Sequence, residues 1–597
     1  MERPVKVLKF GGSVLRDESD LVAAAHEVYR YYRRGIRVVA VVSALGSTTD
    51  DLMSRARRLC VQPRPELLAP VLATGETTSA NLFGIALDGA GVPAQVLSPH
   101  QIGLRARGPV LDADPMDLDA AALLRELDRV PVAVVPGFVA QRDDGRLVLL
   151  GRGGSDLSAL FIAHHVKADC CRLIKDVDGC YESDPALPGP PPRRLLSASF
   201  DDALALGGAI LQPKALRFAR DHHVAFDVAG LCGVRPTRIG RLPRIAVEAD
   251  TMAASRPLRV GLLGLGTVAG GVYRELCCRP DLFDVRRILV RNLDTDRGVG
   301  AVSHLLCTDV REVLDTPCDV VVELAGGVQP ATEWMASALR RGRHVVTANK
   351  AALAAHGCLL ARTAQQHACS LLFSASVGGA VPALETARRL ASEHVIGFEG
   401  VLNGTTNFVL DQIAQGTSFA EAVRRAQQAG LAEADPRLDL DGSDVAHKLT
   451  VLARHTFGDV PIRWQRREGI AGKLPDVPPG HAVRLVGSCH RQCETPMGVG
   501  QASPAELIAS VEVRVLPERD ALAQVAGEQN AVRFSTLDAR LRRCEHIVAG
   551  RGAGRVPTTT AVMADLFELA RAHKLRASGR SAKDTRFSAA ACSQEAS

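Results

Sequence analysis

Two hydrophobic periods alternate along the chain. Short apolar runs, VKVLKF (5–10) and IRVVAVVSA (36–44), read as strands, and the polar segment Glu18–Arg34 between them reads as a helix. Another helix begins over Asp50–Leu59. Aliphatic strands separated by helices predict a largely parallel sheet covered on both faces, since a strand buried on both sides has no polar face. The stretch LPGPPPRRL (187–195) interrupts this pattern as a surface loop. From Val234 to Pro257 the pattern lapses into Arg, Pro and small residues, as in a linker, and at LRVGLLGLG (258–266) the alternation restarts as a second αβ unit. Ala572–Ser597 is basic and then rich in small residues, without a hydrophobic period, which predicts a solvated tail.

Composition narrows the class. A chain of 597 residues has room for roughly three to five domains. With 46% hydrophobic and only 4% aromatic residues, its cores must be aliphatic. The 72 basic and 66 acidic residues leave +6, too thin an excess for nucleic acid, and few rings are available to stack on bases. Fifteen cysteines are scattered, and the start MERPVKVLKF has no apolar secretory stretch, which points to reduced thiols and a cytoplasmic location. No apolar run approaches the ~20 residues of a membrane span.

In the first unit a strand ends in Lys9-Phe10-Gly11-Gly12-Ser13, which puts a lysine and a bare turn at a sheet edge. The glycines let backbone N–H groups approach phosphate oxygens, and Lys9 can neutralise charge that develops in phosphoryl transfer. The device recurs in Gly151-Arg152-Gly153-Gly154-Ser155-Asp156, where Ser155 and Asp156 can cap the following helix and the loop sits on a helix N-terminus. In KDVDGCYESDP, Asp176 and Asp178 flank a turn suited to nucleotide or Mg²⁺ contacts.

In the second unit the turn Gly264-Leu265-Gly266-Thr267-Val268-Ala269 follows a strand and precedes a helix (271–277), which makes it a dinucleotide fingerprint in its GxGxxA form. The second strand (286–292) carries Arg291 where an acidic residue would bind an adenosine ribose, which favours a 2′-phosphate and hence NADPH. Near the C-terminus, Ser443 can cap a helix whose positions Val445, Leu449 and Leu452 form one apolar stripe, and Asp444 and Lys448 share another face at i,i+4 spacing. In a cleft beside a carbonyl such a pair does acid–base work.

The motifs KFGGS, VSALGSTTDDL (42–52), TGETTSA (74–80), PGF (136–138), GRGGSD, DVDGCYESDP and GAILQPKALRFA (208–219) resemble the amino-acid kinase superfamily, and within it aspartokinase, in order over about 230 residues. The resemblance implies that Lys9, with Gly11, Gly12 and Ser13, handles the transferred phosphate, that Thr49 and Glu76 hold aspartate, and that Arg152 meets its carboxylate. Asp176, Tyr181 and Lys214 would lie around ATP, with Mg²⁺. Two positions depart from the family: Val14 stands where a second hydroxyl is usual, and Lys175 where a threonine precedes DVDG, each removing a polar contact. The segment between the two units leaves no room for a regulatory module of ~70 residues, so feedback control by that route is expected to be absent.

The second unit is similar to homoserine dehydrogenase over roughly 300 residues, through DVVVELAGG (319–327), GRHVVTANKAALAAHG (342–357), SASVGGAVPALE (374–385), VLNGTTNFVL (401–410), AGLAEADPRLDLDGSDVAHKLTVLA (429–453) and GRGAGRVPTTTAVMADL (550–566). The resemblance implies that Lys448 is the proton donor, that Asp444 holds the substrate hydroxyl, that Glu433 binds the amino group, that Lys350 contacts substrate and NADP or NAD, and that Asn403 to Asn407 shape the floor. Gly264, Gly266, Thr267, Val268, Arg291 and Gly552 would hold the dinucleotide. The family's usual glutamate at a monovalent-cation site is replaced by Ser374; the carbonyls of Val377, Gly379 and Val381 remain, but a hydroxyl does little to hold Na⁺.

The expected architecture is α/β: an amino-acid-kinase-type αβα sandwich (1–235), a linker (236–256), a Rossmann dinucleotide-binding domain (257–383), an α+β substrate and dimerisation domain (384–548), a segment returning to the dinucleotide domain (549–571) and a tail (572–597). The expected function is bifunctional. ATP-dependent phosphorylation of L-aspartate accompanies NAD(P)H-dependent reduction of aspartate semialdehyde to homoserine, in a homo-oligomer without nucleic-acid or membrane partners. A non-catalytic ligand-binding or assembly role for the kinase-like half, or another phosphate acceptor there, stays open at this point.

Overall fold

The computed structural model describes residues 3–577 except 186, 189–191, 207–210, 234, 248–255, 300–301, 433–434, 472–473, 493–505 and 553. The chain divides into two compact units, Met1–Ser255 together with Arg571–Ser597, and Arg256–Ala570.

The first unit is built on a nine-stranded sheet. Its strands in chain order are β1 (Val5–Phe10), β2 (Arg37–Val42), β3 (Ala94–Val96), β4 (Val132–Pro136), β5 (Cys170–Lys175), β6 (Arg194–Ser199), β7 (Phe226–Gly230), β8 (Thr237–Gly240) and β9 (Ile245–Val247), arranged β9-β6-β8-β7-β5-β1-β2-β4-β3. The core strands β1, β2, β4 and β5 run parallel. Both β1 and β2 are apolar without alternation, as two covered faces require. Consecutive side chains show the two layers: Phe10 meets Phe83 of helix α1 (Pro65–Gly89), with ring centroids 5.4 Å apart, while Lys9 reaches helix α2 (Gly154–His165) on the opposite face. The expected linker begins too early, because residues 237–247 supply β8 and β9, which pair with β6 and complete the sheet.

In the second unit, β10 (Leu258–Leu263), β11 (Phe283–Leu289), β12 (Leu306–Cys307), β13 (Val320–Glu323), β14 (His344–Thr347) and β15 (Leu371–Leu372) form a parallel sheet in the order β12-β11-β10-β13-β14-β15. This is the dinucleotide-binding order, with its crevice where the strand order reverses, between β10 and β13. Helix α3 (Thr267–Cys277) follows β10, starting four residues earlier than expected, and α4 (Lys350–Gln366) follows β14.

A second, mixed sheet holds β16 (His394–Val401), β17 (Ile462–Arg467), β18 (His481–Arg491), β19 (Leu507–Pro517), β20 (Gln529–Leu537) and β21 (Arg543–Arg551) in the order β17-β19-β18-β16-β20-β21. Helix α5 (Ser443–Phe457) lies against it so closely that a Cβ on Gly487 would stand 2.8 Å from Val445 and 3.2 Å from Leu449. The predicted apolar stripe is thus the face on the sheet. Ser443 does not cap this helix: the N-cap is Gly442 in the left-handed region, and Ser443 donates its amide to Asp441. The last helix, α6 (Arg555–Ala577), includes 572–577, which the sequence pattern assigned to the tail; the remainder of that tail lies outside the described residues. No helix among the described residues is long and apolar enough to cross a membrane.

Candidate functional site

In the first unit the site forms where β1, β2 and β5 end. The Gly11–Ser13 turn is closed by the amides of Val14 and Leu15 on the Gly11 carbonyl, and Val14 is buried beneath it. Ser13 Oγ donates to Asp176 (3.1 Å), which ties this turn to the loop after β5. Lys9, 5% exposed, places Nζ 2.6 Å from Asp156 Oδ1, and Lys175 Nζ lies 2.7 Å from Asp156 Oδ2. Burial lowers the Lys9 pKa against the pull of Asp156. Burial alone would favour neutral Asp156, but the two lysines outweigh it and hold the carboxylate below its usual range.

In the sequence Asp156 reads only as a helix cap. The N-cap of α2 is instead Gly153, at φ +75°, which frees Asp156 one turn further in to bridge two lysines. Lys175, expected to remove a polar contact, supplies a second cation. The sequence shows only an acidic residue at the start of an apolar helix, and its pairing with the two lysines needed the register between β1 and β5.

Glu76 sits on α1, 4% exposed, with Oε2 lacking a hydrogen-bond partner; burial pushes its carboxyl up to about 7. Its neighbour Gly75 abuts Ala44 and Thr48, so Glu76 and the helix that carries Thr49 (Thr48–Leu59) meet at the end of β2. Arg152 is exposed on the loop between Gly151 and Gly153. Two expected nucleotide residues are engaged elsewhere. Lys214 Nζ is held by Asp112 (2.7 Å), Asp114 (3.1 Å) and the carbonyls of Ala113 and Leu150, and Tyr181 donates to Asp178 (2.8 Å).

In the second unit the dinucleotide crevice has the shape the fingerprint requires. Gly264 has φ +100°, and a Cβ there would lie 3.0 Å from the Ala325 backbone, so only glycine lets β10 turn against the loop after β13. Gly266 caps α3 with open space around it, and Thr267 and Val268 form the helix's first turn, the kind of terminus whose free amides suit an anion. Glu323, fully buried, accepts from the amides of Ala325 and Gly326 and from Thr347 Oγ (2.7 Å). It knits the loops after β13 and β14, and the sequence reading passed over it. Asn349 caps α4 and donates to the Gly327 carbonyl, which ties the start of α4, where Lys350 stands, to the loop after β13. Arg291 lies exposed just beyond β11.

Asp444 is the hub of the second site. Lys350 Nζ lies 2.6 Å from its Oδ1 and Lys448 Nζ 2.7 Å from its Oδ2, and the Asn403 amide donates to Asp444 (2.9 Å) and to Asp439 (2.8 Å). Burial would raise the Asp444 pKa, yet the two lysines hold it well below the carboxylate range. Burial lowers the Lys448 pKa, and Asp444 opposes the shift. Lys448 also donates to the Leu402 carbonyl (2.6 Å), which fixes its direction. Asp439, which the sequence reading missed, has its pKa raised by burial and by Asp444. Asn407 donates to the Gln529 carbonyl (2.9 Å) and anchors the floor. A Cβ on Gly552 would overlap the Asn530 side chain, and Asn530 donates to the same Leu402 carbonyl (3.1 Å). Glu433 lies outside the described residues.

Ser374 donates its amide (3.0 Å) and hydroxyl (2.7 Å) to the two oxygens of buried Asp565. Among the described residues no group of three His, Cys, Asp or Glu side chains is placed to hold a metal.

These two sites coincide with family matches. Residues 4–226 match the amino acid kinase family, 264–374 the homoserine dehydrogenase NAD-binding domain and 382–567 the homoserine dehydrogenase family. A homoserine dehydrogenase of Bacillus subtilis is 34% identical over 338 residues, 55% of this chain and 76% of that protein. An aspartokinase of Thermus thermophilus is 34% identical over 292 residues, 47% of this chain and 71% of that protein. The crystal structure of a homoserine dehydrogenase from Thiobacillus denitrificans is 34% identical, covering 54% of this chain and 76% of that one, with a TM-score of 0.48. With a kinase site and a dehydrogenase site each lying inside a matched region, the chain belongs to the aspartokinase branch of the amino acid kinases through its first unit and to the homoserine dehydrogenases through its second, and it is a bifunctional enzyme.

Proposed function

We propose that the first site phosphorylates the β-carboxylate of L-aspartate with MgATP and that the second interconverts aspartate 4-semialdehyde and L-homoserine with NADP(H). The observation that carries the proposal is the cluster in which half-exposed Lys350 at the start of α4 and buried Lys448 on α5 share buried Asp444, with Lys448 and Asp444 also held by the Leu402–Asn403 loop.

When bound, the nicotinamide nucleotide supplies the hydride; Gly264, Gly266, Thr267 and Val268 would hold its pyrophosphate, and Arg291 favours a 2′-phosphate. Lys448 protonates the aldehyde oxygen as the carbonyl carbon becomes an alcohol, and in the oxidation direction it takes that proton back. A lysine whose pKa is lowered by burial suits both directions. Asp444 and Lys350 orient the substrate oxygen, Asp439 and Asn403 complete the polar wall, and Glu433 binds the amino group.

At the first site an oxygen of the aspartate β-carboxylate attacks the γ-phosphorus, and the bond to the β,γ-bridging oxygen breaks to release ADP. Lys9 stabilises charge on the transferred group, the Gly11–Ser13 turn approaches the phosphates, and Asp176, which accepts from Ser13 of that turn, would hold Mg²⁺. Glu76, buried without a cation, receives the substrate ammonium beside Thr49, and Arg152 meets a substrate carboxylate. Lys214 and Tyr181 turn toward ATP by exchanging their present carboxylate partners. Two copies of the chain pair through the mixed sheet. Aspartate-dependent ADP release and homoserine-dependent NADPH formation, assayed on one sample of the full chain, test the two halves together.

A further inference from the structure

We propose that Lys175 is a second phosphoryl-holding lysine of the kinase site, its ammonium and that of Lys9 closing on the transferred group from the two oxygens of Asp156. This rests on the kinase reading above and names a residue that reading does not use.

Register places the two lysines together. Strands β1 and β5 are parallel neighbours, with Lys9 opposite Leu173 and Phe10 opposite Ile174. Side chains alternate between faces, so Lys175, two residues beyond Leu173, projects to the same face as Lys9. Both lie at the carboxyl ends of their strands, the end at which open α/β sheets take their ligands. On that face they meet one carboxylate: Lys9 at 2.6 Å from Oδ1 and Lys175 at 2.7 Å from Oδ2.

The charge count distinguishes this arrangement from a structural ion pair. One aspartate is shared by two lysines whose side chains are only 7% and 12% exposed, which leaves one formal positive charge uncompensated within the cluster. A buried pair of one cation and one anion is self-sufficient, whereas surplus buried charge is costly unless an anion arrives. The Lys9 ammonium stands over bare backbone, since a Cβ on Gly11 would lie 3.1 Å from Nζ, so the surplus faces the glycine turn. Lys214 differs in having two carboxylates, Asp112 and Asp114, for its single charge. The lysine free to add charge at the phosphoryl position is therefore Lys175.

The test uses the full chain with Lys175→Met and Lys175→Arg. For each, aspartate-dependent ADP formation is measured together with MgATP and MgADP affinity by calorimetry. The expected result for Lys175→Met is a kcat about 100-fold lower, a KM for aspartate within about threefold, weaker MgATP binding and unchanged MgADP binding; Lys175→Arg recovers part of the rate. Retention of kcat within about threefold overturns the assignment. So does equal loss of MgATP and MgADP affinity, which would mean that Lys175 only neutralises Asp156. If the unaltered chain forms no ADP with aspartate, the kinase reading itself fails, and the ATP-versus-ADP difference alone then decides for or against Lys175.

Discussion

Lys448 Nζ stands 2.7 Å from Asp444 Oδ2, one helical turn apart on α5, with both residues buried. On an exposed helix such a pair contributes about 0.3–0.5 kcal/mol. Here Lys350 occupies the other Asp444 oxygen and the Leu402 carbonyl accepts from Lys448, which fixes the direction of the pair that the proposed mechanism uses for proton transfer. Lys448→Ala should lower homoserine oxidation by about 10²- to 10⁴-fold and leave aspartate-dependent ADP formation intact, as steady-state assay of both activities would show.

The same geometry sets a pH dependence. Asp444 raises the Lys448 pKa against burial, so Asp444→Asn lowers it further. Oxidation needs the neutral amine, and its rising limb in a kcat/KM profile should move to lower pH in Asp444→Asn even as the rate falls. An unmoved limb would assign the titration to another group. Because the folded pKa of Asp444 is depressed, its stabilisation is present above the ordinary aspartate value and is lost only as pH falls through the folded one.

Glu76 shows the opposite sign. Its folded pKa is raised by burial to about 7. Its contribution to stability is therefore present below the unfolded value and lost as pH rises through 7. An incoming ammonium reverses that, so aspartate should bind more tightly as pH rises through this range and should release a proton near its midpoint. Calorimetry in buffers of different ionisation enthalpy measures that proton. Glu76→Gln should abolish the release and weaken aspartate by about tenfold or more without changing MgATP affinity.

Gly264→Ala places a Cβ 3.0 Å from the Ala325 backbone at a positive φ, where the loop cannot yield as a flexible side chain would. NADPH affinity should fall by more than about tenfold, read by fluorescence titration, while the kinase half is unaffected. Arg291→Ala should weaken NADPH by about 1–2 kcal/mol and leave NADH unchanged.

Most of this architecture is legible in the order of residues. The apolar runs of β1, β2 and β10 and the glycine turns after β1 and β10 announce both parallel sheets and the turns that leave them, because each is a local pattern. The extent of the first sheet is not legible: residues 237–247 look like linker, yet their value lies in pairing with β6, forty residues upstream. The same holds for side chains whose role depends on a distant partner. Asp156 reads as a cap until β1 and β5 are in register, Lys175 reads as a loss, Glu323 as a strand residue, and Ser374 meets Asp565 across 191 residues. Asp444 and Lys448 are legible as a pair because their spacing is a single helical turn.

The most direct test of the central claim is a paired assay on one preparation of the full chain, following ADP formation with aspartate and NADPH formation with homoserine. Two active sites predict both rates, with Lys448→Ala removing only the second. Homoserine oxidation without aspartate-dependent ATP turnover would contradict the account and reduce the first unit to a binding or assembly module.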